Sequence, residues 1–497
     1  MKRLLGLVSA FVASGAIAAE PGFGPGDPGV KEAGQLDPKR PIQAELQASV
    51  PDGFTAAAVG DLIISRPLSQ YSESLRAFGE VIKLLRGASV TVGNLETTIF
   101  DPRAFSGAPY SWNGDWTNAS VPEVARDLKA MGISVVGRAN NHSMDWGLEG
   151  MRETSRWLDE AGIPYAGIGE THRSARAPAY FESPQGRIAL VSIASTFRPT
   201  SESLPPASNA PGRPGLSALR VEETALVPRD AIEAIAQVQC ALYDEHCGEV
   251  PKEGSLFGTS YRQADRLSYQ HEMDPEDLRE IYAAVRAAAL NADFVIVAIH
   301  SHECSLACDD ENAPRGAARF LKELAHGAID SGADLFVTSG NHNLGAMEIY
   351  KSPARGYRPI FYGLGNFFWS DVQEQLPHDL FSRNRDLMAR TWKDPEKATE
   401  YDLSAPLNKE TFAHAFTFQS VVAEVRFDGN QLSEVRLHPV ELGYGDKVTT
   451  SGIPRLVSDE AAAREILGQV AGRTSEFGLP ALNIRYSDGV GVIVPGP

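Results

Sequence analysis

The chain has 497 residues, 43% of them hydrophobic and 22% charged, the composition of a globular protein with a large core and, by length, roughly two to four domains. Its net charge of -18 and pI ≈ 5.1 exclude sequence-independent nucleic-acid binding, which needs a basic surface. They do not exclude anionic substrates, because a bound cation can supply positive charge locally.

Met1, Lys2 and Arg3 make a basic start, Leu4 to Val12 a short apolar run, and Ala16, Ile17 and Ala18 the small-residue pattern of a cleavage site. The run is too short to span a bilayer, so residues 1–18 are expected to be a secretory signal peptide. No Cys follows before Cys240, and no later apolar stretch reaches spanning length. The mature chain is therefore expected to be periplasmic or secreted, with neither a lipoprotein nor a transmembrane anchor. Residues 19–52 are rich in Pro, Gly and charge and read as a flexible leader without a core.

From Phe54 the pattern alternates. "FTAAAVGD" reads as a strand, and Leu75, Phe78, Ile82 and Leu85 fall at helical spacing. "SVTVGN" is a second strand, Val124, Leu128 and Met131 mark a helix, and "ISVVG" is a third strand. A helix through Met151 and Leu158 and then "IPYAG" follow. "RIALVSIA" is a near-continuous apolar strand, after which Pro, Ser and Gly mark an excursion, the start of an insertion over about residues 197–280. "EIYAAVRAAALNA" resumes the helices, and "DFVIVAIH" and "DLFVTSGNH" are strands separated by a helix around Phe320 and Leu324. The alternation predicts an α/β layer structure. Near the C-terminus, "HAFTFQSVVAEVRFDGNQLSEVRLHPVEL" predicts a β-hairpin turning at Asp428, Gly429 and Asn430. No internal repeat is visible, and a solute-binding protein with two similar lobes is not supported.

Polar residues collect where these strands end: Gly60 and Asp61; Asn94, Leu95 and Glu96; Asn140, Asn141 and His142; His300, His302 and Glu303; Asn341 and His342; Asn366. In open α/β sheets the carboxyl ends of strands line one edge, where ligands bind. Carboxylates, a carboxamide and imidazoles form a mixed oxygen and nitrogen set that suits Mn, Fe or Zn better than Mg alone, so one or two divalent ions are expected. Of the flanking aromatics, "SWNGDW" (Ser111 to Trp116) and Trp146 read as either a substrate wall or packing. Phe367, Phe368 and Trp369 are expected to pack the core with Asn366 turned to the site. Ser143 and Asp145 are expected to open the helix carrying Met151. Cys240 with Cys247, and Cys304 with Cys308, read first as two local disulfides. For the second pair, the neighbouring His300 and His302 leave a zinc site as the other reading.

The order "VGDLI", "GNLE", "ANNH", "AIHSHE", "TSGNHN", "GLGNFFW" resembles the bacterial capsule-synthesis CapA family, associated with poly-γ-glutamate, and more widely the calcineurin-like metallophosphoesterases. The resemblance covers roughly residues 54–370. It implies a layered αββα metallophosphoesterase-like sandwich over residues 53–372, with a C-terminal β-rich extension over 373–497 completing the sheet. It implies Asp61 and Glu96 as carboxylate ligands, with Glu96 as bridge, and Asn141, His300 and His342 as further ligands, joined by His302. His142 becomes the acid that protonates a leaving oxygen, and Asn94, Asn140, Glu303, Ser339 and Asn366 line or brace the site. Two departures stand out: Ile63 occupies a position where the superfamily has a ligand His, and Ser339 one where many relatives have a His. The implied function is an exported hydrolase of capsule or polymer metabolism that uses a metal-activated water on an anionic polymer or phosphoester. Capsule-synthesis machinery is the implied partner. The rival is a non-catalytic assembly or export factor on the same fold.

Overall fold

A computed structural model describes residues 30–32, 35–36, 49–109, 117–305, 316–370, 414–447 and 449–496, with a few isolated positions between 385 and 397. The expected signal peptide, the "SWNGDW" loop and Cys308 lie outside the described residues. Within the expected leader, Val30–Glu32 and Gln35–Leu36 pair as a small antiparallel ribbon, a local structure that needs no core.

Two sheets pack face to face. The first runs in the order Arg485–Ser487, Val490–Ile493, Gln431–Glu441, Gln419–Asp428, Phe54–Ile63, Val90–Leu95, Val135–Gly137, Tyr165–Ala166. The second runs Ala179–Ser183, Gly186–Ala194, Phe294–His300, Leu335–Ser339, Gly356–Phe361, Met347–Ser352. The central strands of each are parallel, as alternating strands and helices require. Phe54–Ile63 and Leu335–Ser339 are buried almost throughout because both faces are covered, which explains their largely apolar character.

Three apolar layers result. Between the sheets, Phe54, Val92, Leu190, Ile296 and Val337 meet, and Phe294 packs on Phe54 and Phe427 with ring centroids 4.9 and 5.1 Å away. Outside the first sheet lie the helices Arg76–Gly87, Glu123–Met131 and Gly147–Ala161. Outside the second lie Pro275–Asn291 and Phe320–Asp330. This is the αββα sandwich, with helices covering the outer faces of two stacked sheets. The C-terminal hairpin joins the first sheet by pairing Gln419–Asp428 antiparallel to Phe54–Ile63.

The insertion folds around a small core of its own. Glu253–Leu256, Thr259–Gln263, Val221–Val227 and Ser268–Met273 form a four-stranded sheet, on which Arg229–Tyr243 packs through Val227, Ile232 and Tyr261. Cys240 and Cys247 are joined by a disulfide at the end of that helix. The next helix begins at Pro275, not Glu280: Asp274 caps it by accepting from the Glu276 and Asp277 N–H groups, and Pro275 needs no donor partner there.

On the C-terminal hairpin, His438 Nε2 lies 3.3 Å from Glu424 Oε2. The His438 hydrogen bond outweighs burial and, with the charges of His438, Arg436 and Arg426, holds the Glu424 carboxyl below the usual range. A depressed folded pKa contributes stability that is complete above the unfolded value and is lost as pH falls through the folded one. Glu424→Gln is therefore expected to cost about 1 kcal/mol at pH 7. In urea titrations the gap from wild type should close as pH drops below the usual carboxylate range.

Candidate metal centre

Parallel register creates the site. Asp61 stands level with Asn94 on one neighbour and with Asn366 on another. Across the sandwich, His300 stands level with Ala194 and Ser339. The Asp61 strand reaches this edge through a close backbone approach: the Gly365 carbonyl accepts from the Asp61 N–H at 3.1 Å. A Cβ on Gly60 would lie 1.7 Å from that carbonyl, so only glycine fits.

Glu96 is fully buried just past its strand. Its Oε1 lies 3.8 Å from His300 Nε2, 3.9 Å from His142 Nε2 and 4.0 Å from His342 Nε2. Three imidazole nitrogens thus surround one carboxylate oxygen at separations too long for hydrogen bonds. Ligands that share an ion at about 2.0–2.2 Å each stand roughly 3–4 Å apart, so the spacing of His300 and His342 from Glu96 fits a divalent cation. Two overlapping donor groups emerge, Asp61 with Glu96 and His300, and Glu96 with His302 and His342. Glu96 belongs to both.

Around these donors the amides act as braces. Asn94 Nδ2 donates to Asp61 Oδ1 at 2.9 Å and lies 3.1 Å from His300 Nδ1, while its Oδ1 accepts from Asn140 Nδ2 at 3.0 Å. Asn140 also accepts from the His142 N–H and the Ser143 hydroxyl, closing the turn that carries Asn141 and His142. Asn141 is buried in that turn. Asn366 Nδ2 donates to the Thr417 carbonyl, which leaves its Oδ1 to accept from His342 Nδ1 at 2.9 Å. The second neighbour of His342 Nδ1 is Asp61 Oδ2 at 3.3 Å, also an acceptor. With two acceptors facing it, His342 Nδ1 carries a proton, and Nε2 is the ring nitrogen turned toward Glu96.

Burial opposes ionisation of Asp61, yet His342, Asn94 and the Gly340 N–H together hold its carboxyl below the usual range. Burial, followed by the neighbouring His302, His342 and His142, holds the His300 imidazole well below the usual histidine range. A carboxylate and a neutral imidazole are the protonation states a metal ligand needs.

His302 belongs to the cluster, with Nε2 3.0 Å from His300 Nε2 and its backbone N–H on the Thr196 hydroxyl. The turn at Gly340 makes room for both rings: its φ is +96°, and a Cβ there would come within 2.8 Å of His300 Cε1 and 2.9 Å of His302 Cδ2. Ser339 sits beside His300, but its hydroxyl turns to the Ile299 carbonyl at 3.4 Å. Glu303 Oε2 accepts from the Ser195 and Ser301 hydroxyls, both at 2.7 Å, and is in neither donor group. Cys304 is disulfide-bonded, which removes the zinc reading of that pair.

The turn after His142 departs from expectation. Asp145 does not open the following helix, whose cap is Trp146 with no side-chain bond. Instead Asp145 Oδ2 accepts from His142 Nδ1 at 2.7 Å and from the Asn118 N–H at 2.6 Å, and Oδ1 pairs with Arg198 at 3.0 Å. The tight turn folds the third residue back onto the imidazole, so the carboxylate is used there. Trp146 is core, packed on Phe100 and Phe105 with its Nε1 donating to the Asn118 carbonyl. Phe367 and Phe368 are buried, and the half-buried Trp369 stands edge-on to His342 with ring centroids 5.3 Å apart.

An αββα sandwich whose strand ends gather carboxylates, amides and histidines is a metallophosphoesterase-like architecture. Residues 55–370 match the family described as "Bacterial capsule synthesis protein PGA_cap", and the chain belongs to this CapA family. Two proteins of Sinorhizobium fredii, named "Uncharacterized protein y4sH" and "Uncharacterized protein y4uA", are each 39% identical over 476 residues, covering 93% of this chain and 98% of theirs. The "Capsule biosynthesis protein CapA" of Bacillus anthracis is 23% identical over 320 residues, 63% of this chain and 59% of that protein. The "PGA biosynthesis protein CapA" of Bacillus subtilis is 22% identical over 319 residues, 64% and 63% of the two chains.

The role of Asn366 is open to direct measurement. Asn366→Ala should weaken divalent-metal affinity by about tenfold to a hundredfold through the freed His342 ring, read by chelator competition. The buried groups it leaves should cost the metal-free protein about 1–3 kcal/mol in denaturant unfolding.

Proposed function

We propose that this CapA-family protein is an exported, metal-dependent hydrolase acting on an anionic envelope or extracellular polymer at a phosphoester or γ-glutamyl link. The observation that carries the reading is the convergence of His142, His300 and His342 Nε2 on one buried Glu96 oxygen. Export draws support from the signal-like N-terminus and from the Cys240–Cys247 disulfide, a bond that persists in oxidising compartments. Among the described residues no helix is long and apolar enough to cross a membrane.

Asp61, Glu96, Asn141, His300, His302 and His342 would hold one or two divalent ions, Mn, Fe or Zn. When bound, such an ion supplies Lewis acidity and positive charge against the developing negative charge of a phosphoryl or acyl centre. The protein's own part is positional and protonic. His142 keeps its Nδ1 proton on Asp145, so Nε2 is the atom that delivers a proton to the leaving oxygen. Asn140 holds the turn under His142, and Asn94 keeps Asp61 and His300 in fixed relation. The net charge of -18 makes the ion all the more necessary for attracting an anionic polymer.

Ser339, with its hydroxyl turned to the backbone, favours a second reading as a non-catalytic assembly or export factor of the capsule machinery. His302 in the donor group weighs against it, because it restores the imidazole that Ser339 lacks.

Metal content of the purified protein, with hydrolysis of bis(p-nitrophenyl) phosphate and of poly-γ-glutamate, separates the two. His142→Ala is expected to retain the metal and lose about 10²- to 10⁴-fold in kcat. Absence of a transition metal, together with no effect of His142→Ala on any measured activity, overturns the hydrolase reading. Stoichiometric metal without cleavage selects the assembly factor.

A further inference from the structure

The insertion that leaves the second sheet after Ala194 brings a charged side chain, Arg198, to the His142 turn. Arg198 is 2% exposed, and its guanidinium reaches Asp145 Oδ1 at 3.0 Å. Asp145 is itself fully buried, and its two oxygens are divided: Oδ2 serves His142 Nδ1 and the Asn118 N–H, while Oδ1 faces Arg198. With Oδ2 hydrogen-bonded and Oδ1 set against the Arg198 charge, both contacts bear on the orientation of the Asp145 carboxylate, and that orientation bears on where the His142 ring points. The other ring nitrogen, Nε2, faces Glu96 Oε1 at 3.9 Å. The chain around Arg198 is held as well: its carbonyl accepts from the Ser201 N–H, and Ser201 and Leu216 close the base of the excursion.

We propose that Arg198 is a positioning residue, which aligns His142 for proton delivery through Asp145 and makes the insertion part of the catalytic apparatus. A buried carboxylate set between an imidazole and a guanidinium keeps one orientation, because a rotation that gives up the guanidinium leaves charge poorly compensated in a low-dielectric interior. Arg suits the task better than Lys, since its planar, delocalised cation sets direction as well as charge. The consequence is that the segment following the Gly186–Ala194 strand, which holds none of the six metal donors, bears on turnover. Ligand-induced movement of the excursion would be felt at His142 through two side chains.

The kinetic arm of the test rests on the hydrolase reading; the spectroscopic arm does not. In 15N-histidine-labelled protein, the His142 Nδ1–H should give an exchange-protected downfield imidazole proton, assigned by its loss in His142→Ala. Arg198→Met is expected to expose that proton to rapid exchange and to lower kcat on bis(p-nitrophenyl) phosphate about tenfold to a hundredfold, with KM and metal stoichiometry unchanged. Arg198→Lys should recover part of both signals. In an Asp145→Asn background, Arg198→Met should add no further loss of kcat, since both residues act on the same ring. Retention of wild-type kcat and an unchanged imidazole proton in Arg198→Met overturn the proposal, as does a multiplicative loss in the double variant. If Arg198→Met does not fold, Arg198→Lys decides: wild-type kcat and exchange overturn the proposal, and a several-fold fall with faster exchange upholds it. Wild-type protein that cleaves neither substrate defeats the hydrolase reading, while the imidazole proton still decides whether Arg198 positions His142.

Discussion

A carboxylate buried without solvent must be met by donors or cations, and in this protein that constraint falls on Glu96. It sits just past the end of a central strand, fully enclosed, with three imidazole nitrogens within 4.0 Å of one oxygen. Burial of such a group is unfavourable unless its surroundings are organised around it. The parallel register that makes Asp61 level with Asn94 and His300 level with Ser339 is what delivers those surroundings. Tight glycine turns at Gly60 and Gly340 then let backbone and rings close to the required distances.

The donors are oriented by polar partners drawn from distant parts of the chain. Asn94 and Asn140 form one chain of amides beneath Asp61 and His142. Asn366 settles the tautomer of His342, and is itself anchored by the Thr417 carbonyl at the start of the C-terminal hairpin. The hairpin therefore does more than extend the sheet: it supports an amide that supports His342. Thr196 and Arg198, at the opening of the insertion, support His302 and Asp145 in the same way. Orientation by outer partners is the usual means by which metal-binding side chains gain affinity and direction.

Much of the fold was legible because its periodicities are strong. The apolar strands, the helices at 76–87 and 123–131, and the hairpin turning after Asp428 stand close to where the patterns put them. The cluster of Asp61, Glu96, His142, His300, His302 and His342 was legible from recurrence, since strand after strand ends on residues of one chemical set. The role of Asp145 was not, because Asp at the opening of a helix most often caps it; only its place three residues after His142 could have signalled a partnership. Arg198 carried no local signal, lying in a stretch rich in Pro and Ser. The insertion's own sheet was missed because its strands are short and half-exposed and show weak alternation.

By itself the sequence determined the family, the α/β layering and the donor types, because apolar periodicity and residue identity are local properties read along the chain. The family match over residues 55–370 and the two stacked sheets agree with that reading. Tertiary structure alone decided that the Ser339 hydroxyl turns away, that Asp145 pairs with His142, and that Arg198 pairs with Asp145. Those outcomes depend on strand register, turn geometry and the return of a distant loop, and a buried charge selects its partner by what reaches it in space.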